Sequence, residues 1–286
     1  MSRRLGQHFL TDPTILDRIV DALDPQPDDL VLEIGPGTGT LTRRLAPRVG
    51  WVVAVEKDVE LVARETGHGM RDTGLAAEDR RLPANVTVIH GDALRLDWDQ
   101  ALKDISYPVS RIPSPGHKLI GNIPYYITSP LIDKALTPPF PTVIVFLVQK
   151  EVAERLVAEP GGKTYGALTV GVQALADVEK LFTVRRGSFQ PPPAVDSAVV
   201  RMRPKTHPLI DEGERAPFRV FVQELFSYRR KQISTILRAT TDLNRDGLRS
   251  LLAKLDIDPK SRPEVLGPDR LVALFRDTRE WSKQRR

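Results

Sequence analysis

With 286 residues, 41% of them hydrophobic and 28% charged, the chain is long enough to bury one large α/β core and a smaller second one. It has no cysteine, which excludes disulfides, thiolate metal sites and a cysteine nucleophile; its five histidines show no ligand spacing, so no metal is expected. No run reaches eighteen apolar residues and no apolar h-region follows Arg3 and Arg4, which reads as a cytoplasmic protein without a membrane span.

The first element is a helix from Thr11 to Leu23. Thr11 or Asp12 caps it, Pro13 suits its first turn, and Ile15, Leu16, Ile19, Val20 and Leu23 share one face. The stretch that organises the chain comes next: Val31-Leu-Glu-Ile-Gly-Pro-Gly-Thr-Gly39, an apolar run from Leu30 to Ile34 that ends in alternating glycines. A helix-compatible segment, Thr40 to Ala46, follows, so the order reads strand, tight turn, helix. Gly35, Gly37 and Gly39 let the backbone take positive φ and approach a ligand closely, and a nucleotide-like ligand is the natural occupant. The dinucleotide fingerprint G-x-G-x-x-G is incomplete, because Thr40 stands three residues beyond Gly37 and Pro36 sits inside the turn. The spacing E-x-G-x-G-x-G from Glu33 instead resembles the first motif of the S-adenosylmethionine-dependent methyltransferases.

A second apolar run, Val52 to Val55, ends in Glu56, whose carboxylate can accept from both ribose hydroxyls; a third, Val86 to Ile89, leads into Gly91-Asp92. Between them a helix from Val59 to about Arg64 gives way to a charged, glycine-containing stretch up to Pro83, read as a loop or irregular insertion. Residues 106–117 hold Pro108, Pro113 and Pro115 and cannot be regular helix or central strand. Lys118 to Tyr125 reads as a fourth strand ending in a polar and aromatic turn, followed by a helix around Ser129 to Leu136 and a fully buried strand from Val143 to Val148. Strands alternating with helices make this sheet largely parallel. Lys150 to Ala158 is expected to be helical, Val178 to Val184 and Ala198 to Met202 to close the sheet, and Ser188 to Val195 to be an extended, proline-rich loop. Pro204-Lys-Thr-His-Pro208 is the linker candidate, dividing a domain at 1–204 from a helical one at 205–286. After residue 200 there are 20 Lys+Arg against 12 Asp+Glu, a local excess of +8 in a chain of net charge +5. That asymmetry is the footprint of a polyanion partner, and Arg229-Arg230-Lys231, read as lying on a helix, is the cluster expected to meet it.

Asn122-Ile-Pro-Tyr125 has a chemical reading. The N6 of adenine is a poor nucleophile because its lone pair is delocalised into the ring, so an enzyme must offer acceptors to its hydrogens while the nitrogen becomes tetrahedral. Asn122 supplies a side-chain carbonyl and Ile123 a backbone carbonyl, whose direction Pro124 restricts. Tyr125 offers a face to a base removed from its stack, and Phe189 is expected as the opposite face.

An ordered set of segments resembles the ribosomal RNA adenine N6-dimethyltransferases, and more closely their small-subunit branch: Gly6-Gln-His-Phe-Leu10, Glu33-Ile-Gly-Pro-Gly37, Glu56, Gly91-Asp-Ala93, Gly121-Asn-Ile-Pro-Tyr125, Gln149-Lys-Glu151, Tyr165-Gly166, Ser188-Phe189 with Pro191 to Ser197, Arg229-Arg-Lys231, and Ile257-Asp-Pro259 with Arg262-Pro-Glu264. The resemblance implies a Rossmann-like class I methyltransferase domain with a mostly parallel sheet, plus a small all-helical C-terminal domain that docks rRNA. It implies S-adenosylmethionine as cofactor, flanked by His8 and Leu10, with Gly35 at its methionine part, Glu56 at its ribose, Asp92 at its adenine, and Asn122 touching both cofactor and target. Glu33, Gly37 and Ala93 belong to the same implied cofactor-binding set. The implied reaction is dimethylation of two adjacent adenosines in the hairpin near the 3′ end of small-subunit rRNA, within a pre-30S particle and by a monomer. The family usually has Asn where His8 stands and often Leu where Ile123 stands, and residues 66–85 and 106–117 are longer than usual. Three rivals remain: a large-subunit methyltransferase of the macrolide-resistance type, a non-catalytic nucleic-acid-binding factor of the same fold, and an NAD-dependent oxidoreductase. Gly35-Pro-Gly37 and Asp258-Pro259 oppose the first, intact Glu56, Asn122 and Tyr125 the second, and Thr40 the third.

Overall fold

The computed structural model describes residues 8–65, 82–104 and 116–283; Gly6, Gln7 and most of the stretches 66–85 and 106–117 lie outside the described residues. In chain order the strands and helices are β1 (Phe9–Leu10), α1 (Pro13–Ala22), β2 (Leu30–Ile34), α2 (Thr40–Leu45), β3 (Trp51–Glu56), α3 (Val59–Glu65), β4 (Val86–His90), α4 (Trp98–Lys103), β5 (Lys118–Asn122), α5 (Thr128–Ala135), β6 (Ile144–Gln149) and α6 (Lys150–Leu156). They continue with α7 (Ala167–Gln173), β7 (Ala176–Val184), β8 (Phe189–Gln190), β9 (Ser197–Pro204), α8 (Glu212–Ser227), α9 (Ile233–Thr240), α10 (Arg245–Lys254) and α11 (Pro268–Lys283). Contacts group the chain into two units, Met1–Ala153 with Val178–Pro204 and Glu154–Asp177 with Lys205–Arg286.

In the first unit, seven strands among the described residues form one sheet in the order β4-β3-β2-β5-β6-β9-β7. β4, β3, β2, β5 and β6 run parallel, and β9 is antiparallel to β6. β2 is buried along its whole length, which is why Val31, Leu32 and Ile34 are apolar on both faces. α1 starts where the Asp12 carboxylate accepts from Thr14 and Ile15 N–H at 3.0 and 3.2 Å, so Asp12 rather than Thr11 is the cap. Leu16, Ile19 and Val20 on α1 are buried against Val31, Ile120, Leu147 and Val199 of the sheet. Each such side chain contributes about 1.5–3 kcal/mol when fully removed from water.

The strand order reverses between β2 and β5. β3 and β4 lie to one side and β5 and β6 to the other, which leaves a crevice at the carboxyl ends of the central strands. Gly35 follows β2, Glu56 ends β3, Asp92 follows β4 and Asn122 ends β5, so the chemistry-bearing residues share that edge. A separate two-stranded sheet pairs β1 with β8, antiparallel, with Phe9 opposite Gln190 and Leu10 opposite Phe189. Neither strand was foreseen.

The second unit is helical. Tyr165 is fully buried there, its hydroxyl donating to Leu266 O at 2.8 Å and its ring edge-on to Phe226 at 5.9 Å; burial pushes its phenol well above the usual value. Phe218 of α8 meets Phe275 of α11 at 5.3 Å, and Glu214 in the first turn of α8 binds Arg276 at 2.6 Å. Tyr165 and α7 explain why residues 154–177 cluster with these helices, although the sequence reading placed them in the larger domain.

Candidate active site

Gly35, Gly37 and Gly39 take φ of 68, 61 and 69°. At Gly37 the need is doubled, because a Cβ would also stand 3.0 Å from Cε1 of Phe9. The turn aims the Gly37 N–H at Glu56 Oε2, 3.1 Å away, while Glu56 Oε1 accepts from Asp58 N–H at 2.8 Å. Glu56 is 5% exposed, and each of its oxygens keeps lone-pair capacity for a hydroxyl donor.

Two clefts open along this edge. The larger, about 840 Å³, is lined by His8, Phe9, Leu10, Glu33, Gly35, Gly37, Glu56 and residues 121–125. The smaller, about 490 Å³, is lined by Gly35, Glu56, Lys57, Asp92, Ala93, Pro124 and Tyr126. Gly35 and Glu56 line both. A glycine cradle, a paired-acceptor carboxylate at the junction and a second carboxylate beyond it fit a ligand built as amino acid, ribose and base, which is the construction of S-adenosylmethionine. In the smaller cleft Asp92 Oδ1 accepts from Leu94 N–H at 3.0 Å and Oδ2 from Lys57 Nζ at 2.8 Å. The Lys57 contact, followed by the Leu94 N–H, holds the Asp92 carboxyl below its usual pKa, and Asp92 in turn raises that of Lys57.

Asn122 Nδ2 donates to the His8 carbonyl at 3.0 Å. A carbonyl can only accept, so this contact fixes which end of the amide is nitrogen and leaves Oδ1 as the acceptor for the cleft. Ile123 is buried, its N–H bound to Leu147 O at 3.1 Å, and Pro124 sits at φ −55° and ψ 130°. The Tyr125 hydroxyl is 2.8 Å from Ser197 Oγ, and the His8 ring lies 6.0 Å from the Tyr125 ring at an interplanar angle of 30°. Burial raises the Tyr125 pKa, partly offset by Ser197, so the phenol stays neutral. His8 is itself held, its Nδ1 2.8 Å from Pro191 O.

Phe189 departs from its expected place. It is 2% exposed, belongs to the core cluster of the first unit and is not among the residues that line the larger cleft. Arg229-Arg230-Lys231 also departs: α8 ends at Ser227, and the cluster occupies the turn before α9 rather than a helix. Lys231 N–H bonds Tyr228 O at 2.8 Å to close that turn. Arg229 binds Lys163 O at 3.1 Å and approaches Glu264 at 3.5 Å, whereas Arg230 and Lys231 are exposed, with no side-chain partner among the described residues.

Sequence reasoning passed over Lys57 and Lys134 and gave Gly121 no role of its own. Lys57 immediately follows Glu56; Lys134 of α5 donates to Leu94 O at 3.1 Å and so supports the turn after Asp92. Gly121 admits no side chain, since a Cβ would stand 2.6 Å from Ile34 O, and a glycine inside a strand was the available signal.

The family model for ribosomal RNA adenine dimethylase matches residues 1–262. A relative from Crocosphaera subtropica, named ribosomal RNA small subunit methyltransferase A, is 38% identical over 281 residues, covering 95% of this chain and 96% of its own. One of the same name from Moorella thermoacetica is 40% identical over 276 residues, covering 95% and 90%. A crystal structure of a dimethyladenosine transferase from Plasmodium falciparum superposes with a TM-score of 0.74 at 28% identity, covering 97% of this chain and 98% of that one.

Proposed function

The chain belongs to the ribosomal RNA adenine dimethylase family, and from that premise we propose how its two clefts act on adenosine. The protein is an S-adenosylmethionine-dependent small-subunit rRNA adenine dimethyltransferase. Its targets, we infer, are two adjacent adenosines in the hairpin near the 3′ end of that RNA, reached within a pre-30S particle by a cytoplasmic monomer. No described helix is long and apolar enough to cross a membrane, and no metal-binding cluster occurs among the described residues.

In this reading His8 and Leu10 flank the cofactor, Gly35 meets its methionine part, Glu56 its ribose and Asp92 its adenine, with Glu33, Gly37 and Ala93 in the same lining. When bound, S-adenosylmethionine supplies a methyl group already activated on a sulfonium. The protein's task is then positioning and polarisation. Asn122 Oδ1 and the Ile123 carbonyl accept hydrogen bonds from the target amino group and draw its lone pair out of the ring. Tyr125, fixed through Ser197, offers its face to the extruded base. The second unit contributes Arg229, Arg230 and Lys231 to phosphate contact, with Arg230 and Lys231 the two whose side chains have no described partner.

The observation that carries this reading is the pinned amide of Asn122: a single donor contact to His8 O presets the acceptor that an N6 transfer needs. The test is labelled methyl transfer onto small subunits, naked rRNA and large subunits, each lacking the modification, with the product nucleosides resolved by mass spectrometry. Dimethyladenosine in small-subunit rRNA is the expected product. Label confined to large subunits would transfer the assignment to the macrolide-resistance type.

A further inference from the structure

The first unit faces an electrostatic difficulty. The residues of this unit, 1–153 and 178–204, carry 22 Lys+Arg against 22 Asp+Glu, so the part of the chain that holds the cleft does not by its net charge attract a polyanion. Several of its arginines are engaged: Arg44 with Asp17 at 2.5 Å, Arg48 with Asp21 at 2.6 Å, and Arg201 and Arg203 with Glu179, each at 2.9 Å. Arg185 and Arg186 differ. Both are exposed, and neither guanidinium has a hydrogen bond or ion pair to a described residue.

They also stand where a held phosphate would matter. The turn Arg186–Ser188 leads into β8, and β8 pairs with β1, whose Phe9 and Leu10 line the larger cleft. Thr11 anchors the turn through N–H and Oγ1 contacts to Ser188 O at 2.9 and 3.1 Å. Asp196 Oδ1 accepts the Arg186 N–H at 2.9 Å, and the next residue, Ser197, holds the Tyr125 hydroxyl. The backbone carrying the two arginines is therefore tied at one end to the cleft lining and at the other to the face offered to the base. Three residues before Arg185, Phe182 lies 3.8 Å beneath the guanidinium of Arg18, another exposed arginine.

We propose that Arg185 and Arg186 form a phosphate grip on the catalytic unit itself, holding the RNA backbone beside the extruded adenosine. Extruding a nucleotide costs stacking, and the phosphates on either side of it must be restrained for the base to stay in the cleft. Forked guanidinium donors match phosphate oxygens, and two adjacent arginines on a braced turn present them at fixed positions. The grip rests on the rRNA reading above, and acts separately from the cluster at residues 229–231.

The test uses the full chain and its R185A/R186A and R185K/R186K variants, both altered at exposed positions. Binding to unmethylated small subunits is measured across a salt series, with single-turnover methylation at saturating S-adenosylmethionine. Each phosphate contact contributes roughly 0.7–0.9 to the log–log salt slope, so R185A/R186A is expected to flatten it by about 1.5 and to slow transfer at physiological salt about tenfold. R185K/R186K should keep most of the slope while losing part of the rate, and cofactor affinity should stay constant in both. A wild-type slope and rate in R185A/R186A, with the wild-type enzyme active, would overturn the grip and leave the enzyme assignment standing. A wild-type protein that transfers no methyl group to small-subunit rRNA would instead overturn the assignment, and the grip with it.

Discussion

Glu56→Gln preserves the shape of the side chain and replaces one oxygen by an NH2 group. Both Glu56 oxygens already accept a backbone N–H, from Gly37 at 3.1 Å and from Asp58 at 2.8 Å, so the new donor faces another donor whichever way the amide lies. One of the two bonds is lost, and an N–H in a largely buried setting is left unmatched. A hydrogen bond to a charged group contributes about 1.5–3 kcal/mol. The substitution removes one such bond from the glycine turn and weakens the acceptor for the ribose hydroxyls. At 1.4 kcal/mol per decade, the expected loss of S-adenosylmethionine affinity is about ten- to a hundredfold. Isothermal titration calorimetry measures it directly, with circular dichroism to establish that the variant is folded. Unchanged affinity in a folded Glu56→Gln protein would refute the ribose role of Glu56.

Asn122→Ala removes both the contact to His8 O and the acceptor for N6, and single-turnover transfer at saturating cofactor should fall at least about a hundredfold while subunit binding persists; a near-normal dimethyl yield and rate would make Asn122 a turn residue. Replacing Arg230 and Lys231 by Ala should flatten the salt dependence of subunit binding by roughly one to two units of slope, whereas Arg229→Ala, which also loses contacts to Lys163 and Glu264, should in addition lower the thermal midpoint; equal slopes would reduce the cluster to a solvated turn. His117 is 9% exposed, and burial lowers its pKa from 6.5 to about 4. Between those values the unfolded chain takes up a proton that the fold refuses, so stability should fall as the pH drops through that window, by at most about 3 kcal/mol. His117→Gln should flatten that fall in urea denaturation, and an unaltered pH dependence would contradict it.

Much of the cleft was legible because its parts are local. A strand, a turn that requires positive φ and a helix leave their pattern in adjacent residues, so Gly35, Gly37, Glu56, Asp92 and Asn122 could be placed at strand ends from periodicity and spacing alone. What lay hidden is what joins distant segments. β1 and β8 have two residues each, too few to show a period, and the pairing of Phe189 with Leu10 joins segments far apart in the chain. The brace on the Asn122 amide is accepted by the backbone carbonyl of His8, and so leaves no residue-type signal at position 8. Nothing in the composition of Arg229 to Lys231 marks a helix stop; the helix nevertheless ends at Ser227, and Tyr228 follows at φ −107° and ψ 38°. α7 was missed because Gly166 and the Thr-Val-Gly-Val run within it are poor helix formers, outweighed by burial of Thr169, Val170 and Val172.

The pairing of β1 with β8 also sets when the enzyme can first exist. His8 and Pro191, which meet at 2.8 Å, are separated by 183 positions, so a nascent chain carries an unpartnered first strand until residue 191 has left the translating ribosome. At about 5–20 residues per second that interval lasts roughly ten to forty seconds. During it the glycine turn and Glu56 can form with the early strands, but the wall supplied by Phe9 and Leu10 has nothing to pair against, and neither the His8 ring nor the backbone that braces Asn122 is held. A chain released before residue 191 therefore lacks the pairing that completes its cofactor site.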